Sequence, residues 1–230
     1  MAAEAPIRVL GLDHFFGSGE VRKQAIFDVS LTLARGSLTV LIGPSGSGKT
    51  TLLTLMGCLR ELQSGSVRLL GQELNGAGPA RLVLLRRRLG FIFQAHNLHD
   101  SLTATQNVLM GLQVHGPGNA ARQRAAARHM LDLLGLAARR DYLPAKLSGG
   151  QKQRVAVARA LASNPEVVFA DEPTAALDKE AGRTVVEMLK ALGRTRGVTT
   201  VMVTHDTRIL GLADRIITLE EGRIVGDTGG

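Results

Sequence analysis

Residues 37–43 read SLTVLIG, residues 43–50 read GPSGSGKT, and residues 50–60 read TTLLTLMGCLR. A short apolar run of the buried kind, a glycine-rich turn and an apolar helical segment follow without a break, so this stretch is strand, loop and helix. In that context the loop matches G-x-x-x-x-G-K-[ST], the pattern of a phosphate cradle. Its glycines let successive backbone N–H groups converge on phosphate oxygens, and the helix N-terminus adds positive potential. Lys49 would reach the β- and γ-phosphates of a nucleotide, and Thr50 would ligate Mg²⁺. Gly43, Pro44, Ser45, Gly46, Ser47, Gly48 and Thr51 make up the rest of the cradle. The bland alternative is a glycine-rich turn that happens to contain a lysine.

The same alternation continues outward. SVRLL, LGFIF, EVVFAD and VTTVMVTHD are apolar runs interleaved with helical segments. Such interleaving predicts an α/β fold with a mostly parallel sheet covered on both faces. Ahead of the cradle, IRVLGLDHFF, the turn-rich GSGE and AIFDVSLTLARG predict an antiparallel β region, and RIITLEEGRIVGD predicts a hairpin turning at Glu221-Gly222. Between Gln94 and Ala162 the pattern becomes mostly helical. There, RQRAAARHMLDLLG carries leucines at helical spacing and closes on Gly135. The expected organisation is one domain over 1–230, with the α/β core and antiparallel β region at about 1–93 and 163–230 and a helical subdomain at about 94–162. A mobile loop is expected near Gly116-Pro117-Gly118.

Lys and Arg outnumber Asp and Glu by 28 to 20, a net charge of +8. That balance suits an anionic partner such as a nucleotide, a nucleic acid or a membrane face, or else a plain solvated surface. Cys58 is the only cysteine, which excludes a disulfide within the chain and a cysteine-built zinc site. It sits in an apolar helical stretch and reads as a buried small hydrophobe. No signal peptide is expected from MAAEAPIRVLGLDHFF, and no run of about eighteen apolar residues is available to span a bilayer. Any membrane contact must come through a partner.

Two further stretches carry chemistry. EVVFADEP ends an apolar strand in Asp171, which places a carboxylate beside the phosphate loop, where it can hold Mg²⁺. Glu172 follows, angled differently because neighbouring strand positions point apart, and can polarise an attacking water. LSGGQKQR, residues 147–154, is a second glycine-rich helix start. Ser148 and Gln151 form a capping box, and QKQRVAVARALA is a good helix stopping before Asn164-Pro165. Capping alone does not call for Gly149 and Gly150, each of which costs about 1 kcal/mol against Ala. Paired glycines fit a phosphate that must approach the backbone.

GPSGSGKT, Gln94 after LGFIF, LSGGQKQRVAVARAL, VVFADEPTAALD and VTHD occur in the order and spacing of ABC-transporter ATPase subunits, and the resemblance covers essentially the whole chain. It implies a P-loop NTPase with a RecA-like core sheet, binding ATP and Mg²⁺. It also implies a head-to-tail homodimer in which Ser148, Gly149, Gly150 and Gln151 of one subunit close on the ATP held by the other. Gln94 then resembles the glutamine that contacts Mg²⁺ or water and links the site to the helical subdomain. Asp178 resembles an aspartate crossing the dimer interface, and equally reads as an N-cap. His205 resembles the histidine that touches the γ-phosphate. Phe15 aligns with the aromatic that stacks on adenine, with adjacent Phe16 as the alternative. The short cassette, with FGSGEVRKQAIFDVSL and FQAHNLHDSLTATQNV, looks most like the lipoprotein-release and macrolide-export group, and within it most like DevA-type subunits of heterocyst glycolipid export. The resemblance implies a separate integral membrane permease, a periplasmic adaptor, lipid-like or small hydrophobic cargo, a place on the inner face of the plasma membrane, and no nucleic acid. The alternatives are a soluble ATPase acting on a nucleic-acid or protein assembly and a nucleotide-gated binding module. Arg86-Arg87-Arg88, a basic run of the kind that suits nucleic acid, reads instead as a solvated strand edge or a membrane-proximal surface.

Overall fold

The computed structural model describes residues 4–114 and 118–229. One sheet joins β1 (Ile7–Phe16), β2 (Lys23–Leu33), β4 (Ser66–Leu69) and β5 (Gln72–Glu73) in the order β2-β1-β4-β5, all antiparallel. The other contains β3 (Leu38–Ile42), β6 (Leu89–Ile92), β7 (Val167–Asp171), β8 (Thr199–Val203), β9 (Arg215–Glu220) and β10 (Arg223–Asp227), ordered β10-β9-β3-β8-β7-β6. Its pairings are parallel except β9 with β10. The helices are α1 (Lys49–Met56), α2 (Pro79–Arg86), α3 (Ala104–Gln113), α4 (Ala120–Leu133), α5 (Gly149–Ala162) and α6 (Lys179–Arg196).

Period-two alternation divides the parallel sheet between two cores. Val168 and Ala170 of β7, with Met202 of β8, face a core shared with α5 and α6. Val167 and Phe169, with Val201 and Val203, face the opposite core, which lies between the two sheets and encloses Leu52, Leu53, Leu55 and Met56 of α1. Each of those α1 side chains is almost fully buried, a burial that stabilises by about 2 kcal/mol apiece. The helix bearing the phosphate loop is therefore set between the sheets. Helices α3, α4 and α5 pack on one another in the segment between β6 and β7.

Two expectations change, the sheet that SVRLL joins and the helical placement of Cys58. SVRLL belongs to the antiparallel sheet, with Ile7↔Leu69 through Leu10↔Ser66 in register. Its burial alternates, unlike the fully buried apolar positions of β7, and that alternation marks a half-exposed strand. The run Arg86-Arg87-Arg88 spans the end of α2 and the entry to β6, the edge strand of its sheet, with Arg87 exposed and its two neighbours partly so. Arg86 Nη1 donates to the Cys58 carbonyl at 2.9 Å, and Arg88 pairs with Glu166 at 2.6 Å. Cys58 is buried, but it lies just past α1 at φ +58, and burial pushes its thiol up to about 11. The hairpin turns at Glu221 (φ +46) and Gly222 (φ +76), the paired positive φ values of a two-residue type I′ turn. Gly116 and Pro117, where a mobile loop is expected, lie outside the described residues. Among the described residues no helix is long and apolar enough to cross a membrane.

Candidate active site

Two glycines seat the phosphate loop between strands. Gly43 leaves β3 at φ +140, and a Cβ there would stand 1.9 Å from the Leu219 carbonyl oxygen. Gly48, at φ +97, would bring a Cβ to 2.9 Å from the Ala25 carbonyl oxygen. Gly48 is also the N-cap of α1, with no side-chain hydrogen bond closing the helix end. The first N–H groups of α1 are thus left for a ligand.

The loop opens on a cleft of about 930 Å³ lined by Ser45, Gly46, Ser47, Gly48, Lys49, Thr50, Thr51, Gln94, Asp171, Glu172 and His205. Lys49 is only 5 % exposed; its ammonium donates to the Gly43 and Pro44 carbonyls at 2.9 and 2.7 Å and to Ser47 Oγ at 3.3 Å. Burial pulls its pKa down, against the opposing charges of Glu172 and Asp171. Asp171 falls on the same strand face as Val167 and Phe169, toward α1, and the Thr50 hydroxyl lies 3.1 and 3.2 Å from its two oxygens.

Simple alternation would send Glu172 to the other face of the sheet, yet it lines the same cleft. It sits at φ +51, a left-handed conformation uncommon for a non-glycine residue, and its N–H donates to the Val203 carbonyl at 2.9 Å. One of its oxygens, Oε2, accepts from the His205 N–H at 3.5 Å; the other, Oε1, is 3.6 Å from His205 Nε2 and otherwise buried without a partner. Burial is the largest influence on both acids and pushes both carboxyls up. The partly desolvated Asp171 carboxylate beside the Thr50 hydroxyl, with Gln94 on the same cleft, forms a hard oxygen donor set that fits Mg²⁺. Among the described residues no group of three His, Cys, Asp and Glu gathers anywhere. Few protein donors suit an ion that keeps its waters and takes substrate phosphates.

Other expected residues stand away from this cleft. Ser148 Oγ accepts from the Gln151 N–H at 3.3 Å and Gln151 Oε1 accepts from the Ser148 N–H at 3.0 Å, the anticipated capping box. Neither they nor Gly149 and Gly150 line the cleft. Ser148 and Gly149 are exposed, and a Cβ on Gly149 would meet nothing nearer than Ala176 Cβ at 3.9 Å. Asp178 caps α6, accepting from the Ala181 N–H at 2.8 Å. Of the two adjacent phenylalanines, Phe16 lines the cleft and Phe15 does not; the Arg22 guanidinium lies 3.8 Å from the Phe15 ring centroid.

Sequence reasoning missed Lys23, Gln24, Ala25 and Phe27 of β2, and the tip of the β9–β10 hairpin. Gly222 donates its N–H to the Ser47 carbonyl at 3.0 Å and accepts from the Phe27 N–H at 2.9 Å, so the hairpin braces the phosphate loop. Only Gly222 itself was a signal, and the turn already explained it.

A family model described as "ABC transporter" matches residues 26–175. The chain is 45% identical over 223 residues to "Macrolide export ATP-binding/permease protein MacB" of Neisseria meningitidis serogroup B, covering 96% of this chain and 34% of that protein. A protein of the same name from Rhodospirillum rubrum is 44% identical over 225 residues, again covering 34% of its length. The chain thus spans about a third of the curated relatives it matches. Among solved structures, the dimeric post-hydrolysis state of the ATP-binding cassette MJ0796 with ADP and Pi superposes with a TM-score of 0.91 at 36% identity, covering 96% of this chain and 97% of that one.

Proposed function

Because this chain belongs to the ABC transporter family, as one of its ATPase cassettes, we propose that it powers an exporter by pairing head to tail around two ATP. The observation that carries this reading is the exposed start of α5. Ser148 and Gly149 face solvent away from their own cleft, with room for a side chain where glycine stands. That surface completes the cleft of a second copy, with Gly150, Gln151 and Asp178 at the same seam. A single subunit then binds ATP but hydrolyses it poorly.

Within each composite site, Lys49 exchanges its loop carbonyls for the β- and γ-phosphates of ATP, and the loop N–H groups hold the remaining oxygens. Thr50, Asp171 and Gln94 would hold Mg²⁺, which neutralises charge on the phosphates when bound. Glu172 takes the proton of the attacking water as the new O–P bond forms and the bond to the ADP oxygen breaks. Burial raises the proton affinity of that carboxylate, which suits a base working near neutral pH. His205 keeps Glu172 oriented and meets the γ-phosphate. Phe16 stacks on the base.

The coupled partner is a transmembrane permease at the inner face of the plasma membrane, with a periplasmic adaptor beyond it and a lipid, glycolipid, lipoprotein or small hydrophobic cargo. A groove of about 590 Å³, walled by Leu59, Val83, Phe91, Met110 and Val114 beside Arg86, suits an apolar permease segment carrying an acidic residue. β6 leads from Phe91 at this groove to Gln94 in the cleft, which joins the two sites. Glu172→Gln tests the reading by gel filtration: ATP should drive the variant into a stable dimer without turnover. A variant that still hydrolyses, or stays monomeric in saturating ATP, refutes it. Purification from membranes should bring down a permease; RNA or a soluble complex in its place would favour a different class.

A further inference from the structure

The Phe16 ring is 39% exposed at the end of β1, beyond Leu10, the last β1 residue paired with β4. The strand end is paired with β2 through Phe16↔Lys23 but open on its other side, where a ring would be free to turn, yet three groups outside the cleft hold it. Gln63 replaces the missing strand rung: its Oε1 accepts from the Phe15 N–H at 2.7 Å and its Nε2 donates to the Phe15 carbonyl at 2.9 Å. Arg60 lays its guanidinium 4.8 Å from the Phe16 ring centroid, and it does not line the cleft. His14, 3% exposed, meets the Phe16 ring edge-on at 5.0 Å and 85°. Its pKa is pulled down by burial and then by Arg60, so an uncharged ring sits beside the guanidinium.

We propose that Arg60 and Gln63, on the connection leaving α1, together with His14, are positioning residues that hold Phe16 as a preset nucleobase platform. The inference rests on reading the cleft as the ATP site and adds the residues that set its base end. Arg60 and Gln63 follow α1 closely in sequence, so the helix that starts at the phosphate loop also fixes the platform. Base and triphosphate are thereby held at one spacing from one rigid element. A ring held in place spares the ordering cost of stacking, and a cation near it adds attraction of its own. The platform reads a purine face rather than its edge, so ATP and GTP depend on it alike.

Calorimetry on the full chain tests this with ATP, GTP and inorganic tripolyphosphate, which carries the phosphates without a base. Arg60→Ala should weaken ATP and GTP by the same factor, about two- to fivefold, as expected for an exposed cation–π contact. Tripolyphosphate affinity should not move, and Arg60→Lys should restore most of the loss. In a Phe16→Ala background, Arg60→Ala should add nothing. Unchanged ATP affinity in Arg60→Ala, equal losses for ATP and tripolyphosphate, or additivity with Phe16→Ala would overturn the positioning role while leaving the ATP site standing. A wild-type chain that binds tripolyphosphate and no nucleotide more tightly would overturn the base-end reading itself.

Discussion

Gly149→Ala separates the two explanations of the α5 helix start. If the glycine serves only helix initiation, alanine is the better residue there, since Gly costs about 1 kcal/mol in a helix. The added methyl has its nearest neighbour in the chain at 3.9 Å, an ordinary contact, so no strain opposes it. Gly150 is a poorer probe because its Cβ would press on the Ala176 carbonyl oxygen at 3.2 Å. For a chain of this size 1 kcal/mol moves Tm by about 2–4 °C, so the variant should melt at the wild-type temperature or a few degrees above. ATP binding to the monomer should be untouched, because Gly149 does not line its own cleft. Dimer closure is another matter. A methyl standing between the Ser148–Gly150 backbone and the γ-phosphate of a second subunit removes a charge-assisted hydrogen bond of about 1.5–3 kcal/mol. Steady-state turnover should fall by on the order of tenfold to a hundredfold, and Glu172→Gln carrying the same change should lose its ATP-dependent dimer. Wild-type turnover in Gly149→Ala, or a lowered Tm accounting for its loss, would refute the cross-subunit role.

Two more predictions concern stability and coupling. The Arg88 hydrogen bond holds the Glu166 carboxyl below its usual value, so the pair stabilises above about pH 4.5 and the benefit is lost as pH falls through the lowered pKa. Both side chains are 40% exposed, so after screening Glu166→Gln should cost about 0.5–1 kcal/mol at pH 7 by thermal melting, with the gap closing below pH 4; a gap constant with pH refutes the assignment. Val83→Arg puts an unpaired cation on the apolar groove wall and should abolish permease co-purification while ATP binding and Tm hold; retained permease would move the docking face elsewhere.

The parts of the site that were legible in the sequence share one property: each is set by short-range chemistry. The strand, the phosphate loop and α1 are contiguous, so pattern and structure coincide there, and the capping boxes at Ser148 and Asp178's cap need only neighbouring residues. The parallel sheet followed from fully buried apolar runs such as VVFA. What escaped depends on pairing across the chain. β4 pairs with β1 rather than with the parallel strands, and its four residues alone do not announce that partner. The choice between Phe15 and Phe16 depends on the β1–β2 register, which shifts between Val9 and Leu12, between Leu12 and His14 and between His14 and Phe15, so no simple parity count carries along β1.

The acids show most plainly why alternation failed. Asp171 and Glu172 should point apart, and the chain brings both into one cleft by placing Glu172 at φ +51. A left-handed glutamate costs of order 1 kcal/mol or more and leaves no mark in composition or period. Glycine there would relieve the strain but remove the carboxylate, which is the base in the proposed mechanism. The bond from the Glu172 N–H to Val203 and the one from the His205 N–H to the carboxylate over-determine the conformation, both supplied by β8 and the residues just after it. His205 is thus tied to Glu172 by the backbone as well as by its ring. Replacing the ring alone should leave Glu172 in place, which makes the orienting and phosphate-contacting roles proposed for His205 separable by experiment.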